Sequence, residues 1–199
     1  MLSSYHQKYA SKPDVELELR AQVKEQELAQ IFSQNSFISN NPTVRVAVMG
    51  CGDKRFVKLH QVIFEKLLHN PVELCTFDIT TEHLQGEQNV HQHDCTVPLP
   101  NAPYDITYAH VLLKFIPQSQ QWQVVENSYD ALRAGGVAIH VLDREDYDPS
   151  LTLSDGYKVD LDNIEKCLLE REIPYKKMHI QSGPNGQIEC LALVLLKSE

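Results

Sequence analysis

The sequence predicts a doubly wound α/β domain: a mostly parallel, seven-stranded sheet with helices on both faces, closed by a C-terminal antiparallel β-hairpin. Three observations carry this. Strand-like apolar runs alternate five times with helical patterns, the signature of parallel crossover units. The stretch VRVAVMGCGDKRF, Val44–Phe56, stops an apolar run at Gly50-Cys51-Gly52 and passes into a helix. Near the C-terminus, SGPNGQ joins two strands through Asn185-Gly186, a hairpin turn signal.

Each element follows from local chemistry. Ser11 is the expected cap of a first helix, Pro13 suits its first turn and Asp14 meets its positive end, giving a polar helix over 13–32. NSFISNNPT reads as a linker. The first strand is 44–49. Phe56, Leu59, Ile63 and Leu67 recur at helical spacing, so 54–69 is a helix, ended by Asn70-Pro71. A second strand covers 72–79, a short turn 82–85 and a short third strand 89–95. After the proline-rich TVPLPNAP comes a fourth strand, 104–113. Ser119 is the expected cap of the next helix, with Trp122, Val125, Tyr129 and Leu132 on its apolar side and Gly135-Gly136 at its end. The fifth strand is 137–142, and DREDYDPSLTLSDGYK is an irregular polar segment. Leu161, Ile164 and Leu168 mark a last helix, ended near Pro174. Strands 175–181 and 188–197 form the hairpin. The second of these is almost continuously apolar, so it is expected to be buried and central.

Composition narrows the function. The chain has 199 residues, enough for one domain with a sizeable core. Lys plus Arg is 18 and Asp plus Glu 27, a net charge of −9, which repels phosphate backbones and disfavours a nucleic-acid partner. No run approaches the roughly 20 apolar residues that cross a bilayer, and MLSSYHQKYASKPD lacks the apolar core of a signal peptide. Cys51, Cys75, Cys95, Cys167 and Cys190 show no CxxC spacing. Several lie in apolar runs, which suits buried free thiols in a reducing compartment, and the chain reads as cytoplasmic.

The glycine turn raises the question of a ligand. A dinucleotide fingerprint needs a third glycine, and GCGDKRF has Lys54 there, so that reading fails. Gly50 and Gly52 serve either a tight turn alone or a ligand with an adenosine end and no phosphates. For the latter, Asp78 stands at the tip of the second strand, where a carboxylate accepts from both hydroxyls of a ribose. Asp94 stands at the tip of the third, positioned to accept from an adenine amino group while the backbone N–H of Cys95 donates to the ring. All lie at the carboxyl ends of parallel strands, where open α/β sheets bind ligands.

In order and spacing, these stretches resemble a class I, Rossmann-like S-adenosylmethionine (SAM) dependent methyltransferase over residues 44–197. VRVAVMGCG resembles the first motif of that family, and VELCTFDI the second, with Asp78 at the ribose acid. HDCTVPLPNAPYDITYAHVLLKFIP resembles the adenine-site acid, proline loop and fourth strand. ALRAGGVAIHVLD is similar to the glycines and fifth strand, and the hairpin to the last two strands. The resemblance implies cofactor contacts from Gly50, Cys51, Gly52, Asp78, Ile79, Asp94, Cys95 and His110, with SAM as cofactor and S-adenosyl-L-homocysteine as product. The acidic charge and the absence of a large insertion favour a small-molecule methyl acceptor over a protein one, and the sequence leaves its identity open. Residues 1–40 then form a helical lid or extension, in which Tyr5 and Tyr9 are either aromatic cover or part of a disordered tail, and 41–199 the cofactor-binding domain. Val48 and Lys54 stand where the family often has an acidic residue and a third glycine. They are the basis of an alternative, a non-catalytic SAM-binding module acting with a partner. A nicotinamide-dependent oxidoreductase is a further alternative, against which the failed fingerprint counts.

Methyl transfer is driven largely by positioning, so a base is optional. His110 shares a strand face with Tyr108 and is either that base or a lining residue of the pocket. Lys54 or Arg55 is placed to meet the methionine carboxylate, or is a solvated surface charge. Asp143 and Tyr147 are either pocket or ordinary loop residues. In His91-Gln92-His93-Asp94 the side chains diverge along a strand, so no metal site is expected.

Overall fold

The computed structural model describes residues 6–7, 10–35 and 41–198. Its sheet has the order β3-β2-β1-β4-β5-β7-β6. The strands are β1 (Val44–Met49), β2 (Val72–Asp78), β3 (Val90–Gln92), β4 (Tyr104–His110), β5 (Leu132–Asp143), β6 (Tyr175–Ser182) and β7 (Ile188–Leu196). Only β7 runs antiparallel, pairing β5 on one side and β6 on the other. The chain winds outward from β1 through β2 to β3, then returns to place β4 on the other side of β1. That reversal opens a crevice at the carboxyl ends of β1 and β4, the place where doubly wound sheets take ligands.

Two apolar layers flank the sheet. On one face, α1 (Asp14–Gln34) contributes Leu17, Ala21, Leu28 and Ile31, and α2 (Arg55–Leu68) contributes Phe56, Val57, Ile63 and Phe64. On the other, α3 (Gln118–Asp130) brings Val124 and Val125, and α5 (Leu161–Glu170) brings Ile164 and Leu168. A one-turn helix, α4 (Arg144–Tyr147), lies between β5 and α5. Strands buried on both faces read as apolar runs. In β1 every residue but Arg45 is buried, and β7 is buried from Cys190 to Leu195, as its composition predicts.

Several boundaries differ from the sequence reading, each for a local reason. Pro13, not Ser11, is the N-cap of α1, and no side chain bonds the helix end. Likewise α3 begins at Gln118 behind Pro117, so Ser119 lies inside it. Gly135-Gly136 does not end α3, which closes at Ala131 through its N–H to the carbonyls of Asn127 and Tyr129. The pair lies inside β5, where the strand squeezes past its neighbours: a Cβ on Gly136 would meet the Arg133 and Asp105 carbonyl oxygens at 2.9 Å. Strand β4 stops at His110 because Val111 adopts φ 56°, and Leu113–Phe115 turns into a 3-10 helix. Strand β3 ends at Gln92, leaving Asp94 and Cys95 in the loop beyond it. Within the irregular polar segment, α4 is helical because Asp143 and Asp146 form a reciprocal capping box. Tyr5, Tyr9 and linker residues 36–40 lie outside the described residues. All five cysteines are free thiols, with Cys167 half-buried and the rest buried. Among the described residues no helix is long and apolar enough to cross a membrane.

Candidate functional site

The turn after β1 is built to bring backbone close to whatever sits in the crevice. Gly50 has φ +79°, and a Cβ there would come 3.0 Å from Leu112 Cδ1, so glycine satisfies both backbone and space. Its N–H donates to the Phe77 carbonyl at 2.7 Å. The Cys51 N–H donates to Asp78 Oδ2 at 2.8 Å, and the Thr80 N–H to Oδ1 at 3.1 Å. Asp78 is thereby buried against the turn at the tip of β2. From the 3-10 helix Glu82–Leu84, His83 places Nε2 2.6 Å from the Cys51 carbonyl oxygen. His6 stacks on His83 with ring centroids 3.9 Å apart.

Behind the turn, Asp53 and Arg55 form a two-pronged pair, Nε to Oδ1 and Nη2 to Oδ2, each 2.8 Å. Burial opposes the charge on Asp53, but this fork prevails and holds the carboxyl below its ordinary pKa. Arg55 Nη1 also donates to Asp14 Oδ1 at 2.6 Å and to the Lys12 carbonyl at 3.0 Å. Its guanidinium therefore binds α1 to the glycine turn rather than facing a ligand. Lys54 is exposed at the outer edge of the turn.

A cavity of about 870 Å³ fills the crevice. Gly50, Cys51, Gly52, Asp78, Ile79 and His110 line it, together with Asp143 from the end of β5. Asp94 and Cys95 do not. Asp94 is exposed, and its Oδ1 accepts from the N–H and hydroxyl of its own Thr96 at 2.9 and 2.8 Å. Cys95 is buried, with its carbonyl accepting from Asn127 Nδ2 at 3.1 Å. Tyr147 is also outside the lining. Of the eight residues expected to contact a cofactor, six line this cavity and two lie outside its lining.

An adjoining wall comes from α1, a polar helix in the sequence and part of the expected lid or extension. Glu27, with a side chain 1% exposed, faces His110. Its Oε2 lies 2.9 Å from His110 Nε2, and its Oε1 accepts from the Ser182 hydroxyl. Burial disfavours the carboxylate, yet His110, Ser182 and Lys24 together hold its pKa below the ordinary value. A carboxylate accepts only, so His110 carries its proton on Nε2, and in the neutral ring Nδ1 is a lone pair.

Lys24 stands one turn before Glu27. Its ammonium lies 5.4 Å from the Phe56 ring centre and 6.0 Å from that of Tyr108. Burial pushes its pKa down to about 8, against the pull of Glu27, Cys51 and Asp143. Close by, Tyr108 Oη and both ring nitrogens of His60 are buried without a protein partner among the described residues. One signal for this wall is legible in retrospect. Leu17, Ala21, Leu28 and Ile31 form the buried stripe of α1, and Lys24 falls on that helical period, where a lysine needs a reason to be.

Beyond β5 the cavity meets Lys114, whose ammonium is bracketed by Glu145 at 2.9 Å, Asp155 at 3.0 Å and Asp146 at 3.2 Å. Burial, helped by the nearby charge of Asp143, pushes the Asp146 carboxyl up to about 6, against the pull of Lys114. Among the described residues one group has metal-ligand spacing: His6, Asp78 and His83, with ligand atoms within 4.8 Å of one another. His91 and His93 instead pack on Phe77, their ring centres 5.5 and 5.6 Å from it.

No protein-family model and no curated protein sequence matches the chain. Solved structures match in shape. A SAM-dependent methyltransferase from Clostridium acetobutylicum aligns with a TM-score of 0.61 at 12% identity, over 89% of this chain and 92% of that one. An N-methyltransferase from Bradyrhizobium japonicum, crystallised with S-adenosyl-L-homocysteine, gives 0.57 at 12% identity, over 99% and 94%. The magnesium protoporphyrin IX methyltransferase of Synechocystis, with bound SAM, gives 0.59 at 13% identity, over 100% and 86%. The fold is the class I methyltransferase fold. At these identities the likeness speaks to the fold alone. On this class I frame, the glycine turn, Asp78 and His110 share one cavity at the topological switch point.

Proposed function

We propose that the chain binds SAM in this cavity and transfers its methyl group to a small-molecule acceptor. One observation carries the reading. Gly50-Cys51-Gly52, Asp78 and His110 converge on a single cavity at the carboxyl ends of β1 and β4, on a fold whose solved neighbours include structures with SAM and with its product.

In this reading Asp78 accepts from the ribose hydroxyls and Ile79, 63% exposed beside it, covers the adenine ring. Backbone at Gly50, Cys51 and Gly52 approaches the thioether chain. Asp94 and the Cys95 N–H meet the adenine only if the ring reaches past Ile79, and the reading does not depend on them. Lys24 takes the methionine carboxylate, the role that Arg55 is too engaged to fill. The acceptor's lone pair attacks the methyl carbon, the carbon–sulfur bond breaks, and its electron pair stays on sulfur, discharging the sulfonium. Any proton on the acceptor leaves to solvent or to His110 Nδ1. Glu27 fixes the tautomer and the aim of that ring, so His110 lines the methyl-transfer region whether or not it takes the proton.

The small-molecule acceptor rests on the cavity's size, which falls in the range of small-molecule sites, and on the acidic charge of the chain. Residues 1–40 act as the lid, with α1 supplying Lys24 and Glu27. Five free thiols fit a cytoplasmic location. The test is a metabolite screen with methyl-labelled SAM and the full chain. Label transferred to a small molecule supports the enzyme reading. Binding of SAM with no label transferred across amine, hydroxyl, thiol and carboxylate acceptors supports the non-catalytic module that Val48 and Lys54 suggest.

A further inference from the structure

The methyl-transfer reading gives Asp78 a role but none to the two imidazoles packed against it. We propose that His6, Asp78 and His83 bind a divalent transition-metal ion of the zinc class, and that this ion competes with the cofactor for Asp78. The ion site stands apart from the methyl-transfer reading; only the competition rests on it.

The tautomer of His83 is the first argument. Its Nε2 lies 2.6 Å from the Cys51 carbonyl oxygen, which can only accept, so Nε2 carries the proton. In the neutral ring Nδ1 is then a lone pair. That Nδ1 is buried with no hydrogen-bond partner, a costly arrangement for a polar atom. One ring nitrogen donating to a backbone carbonyl while the other is bare is how metal-ligating histidines are held.

The neighbours complete a ligand set. The His6 imidazole stacks on that of His83, ring centroids 3.9 Å apart, and brings a second ring nitrogen to the same place. Asp78 supplies the negative charge. Each of its oxygens accepts one backbone N–H, which leaves each a further lone pair. Two imidazoles and one carboxylate suit zinc, cobalt or nickel rather than magnesium or calcium. With bonds of about 2.0–2.2 Å, a tetrahedral ion holds its ligand atoms about 3.3 Å apart. The three residues already place ligand atoms within 4.8 Å of one another, at most about 1.5 Å beyond that spacing, a gap for the His6 side chain to close while His83 keeps its bond to the Cys51 carbonyl. The fourth position is left to solvent. Because His6 belongs to the N-terminal segment and His83 to the loop after β2, the ion would clasp that segment over the glycine turn.

The test uses the untagged full chain, with zinc titrated calorimetrically and cobalt followed by its visible spectrum at pH 7. One ion per chain is expected, with His6→Ala and His83→Ala each weakening it at least about tenfold. His6→Ala keeps the test decisive if His83→Ala disturbs the turn. S-adenosylhomocysteine should weaken zinc binding, and zinc should weaken S-adenosylhomocysteine binding by the same factor. No binding at millimolar ion, or binding indifferent to both histidine variants, overturns the site. Zinc and S-adenosylhomocysteine binding independently overturns the competition. If S-adenosylhomocysteine fails to bind the metal-free chain, the methyl-transfer reading falls while the zinc titrations still decide the ion site.

Discussion

Glu27 is the joint between the N-terminal helix and the sheet, and Glu27→Gln tests that joint without changing its size. In the wild type the carboxylate accepts from both His110 and Ser182, buried at 1% exposure. A glutamine offers one oxygen and one NH2, so one of the two donors loses its acceptor and the charge is gone. Hydrogen bonds to a buried charged group contribute about 1.5–3 kcal/mol each, and part is recovered through the remaining oxygen. A net loss of about 1–3 kcal/mol follows, or a fall in Tm of roughly 2–12 °C for a chain of this size. The pH dependence is the sharper readout. The folded pKa of Glu27 lies below its ordinary 4.5, so its ionised form stabilises the fold above that value. The contribution is lost as pH falls through the lowered folded pKa. Melting curves from pH 7 to pH 3 should therefore show the two proteins converging in the acid range. An unchanged Tm at pH 7, or a deficit that persists undiminished at pH 3, would refute the ionised joint.

Three further substitutions probe the cavity. Lys24→Met should weaken S-adenosylhomocysteine binding while leaving the free protein as stable or more so, because it removes a charge whose pKa burial lowers to about 8. Wild-type affinity should decline as pH rises through that value, and calorimetry across pH 7–9 checks both. Asp78→Ala should reduce affinity by about 1.5–3 kcal/mol, roughly ten- to hundredfold, in isothermal titration; unchanged affinity would remove Asp78 as the ribose acid. His110→Ala, assayed with an acceptor found in the label screen, should alter cofactor affinity and leave the chemical step nearly intact. A loss of a hundredfold or more in turnover at saturation, with unchanged binding, would make His110 the base.

The parts of the fold that periodicity governs were legible in the sequence. Val44–Met49 and Ile188–Leu196 read as apolar runs because strands flanked by neighbours and covered by helices are buried on both faces, and Asn185-Gly186 announced the hairpin. That the glycine turn and Asp78 meet in one crevice was legible because both stand at the carboxyl tips of neighbouring parallel strands. What escaped depends on tertiary approach. Asp94 missed the cavity because β3 stops at Gln92 and its carboxylate turns back on Thr96, a local bond that spacing does not reveal. Gly135-Gly136 read as a helix end, yet lie inside β5, where Gly135 turns the backbone at φ +75° and Gly136 leaves room for the carbonyl oxygens of Arg133 and Asp105. Glu27 and Ser182 are 155 residues apart, and nothing local joins either to His110. Likewise His6 and His83 meet only through the folding of the N-terminal segment over the turn.

The central claim is that this cavity holds an adenosine-bearing sulfonium and not a dinucleotide. Thermal unfolding of the full chain in S-adenosylhomocysteine and, separately, in NAD tests it most directly. A ligand at 100 times its dissociation constant stabilises by about 2.7 kcal/mol, which corresponds to a Tm rise of roughly 5–10 °C for a chain of this size. The account predicts that rise with S-adenosylhomocysteine, its loss in Asp78→Ala, and no shift with NAD. No shift with millimolar S-adenosylhomocysteine, or a shift with NAD instead, would contradict it.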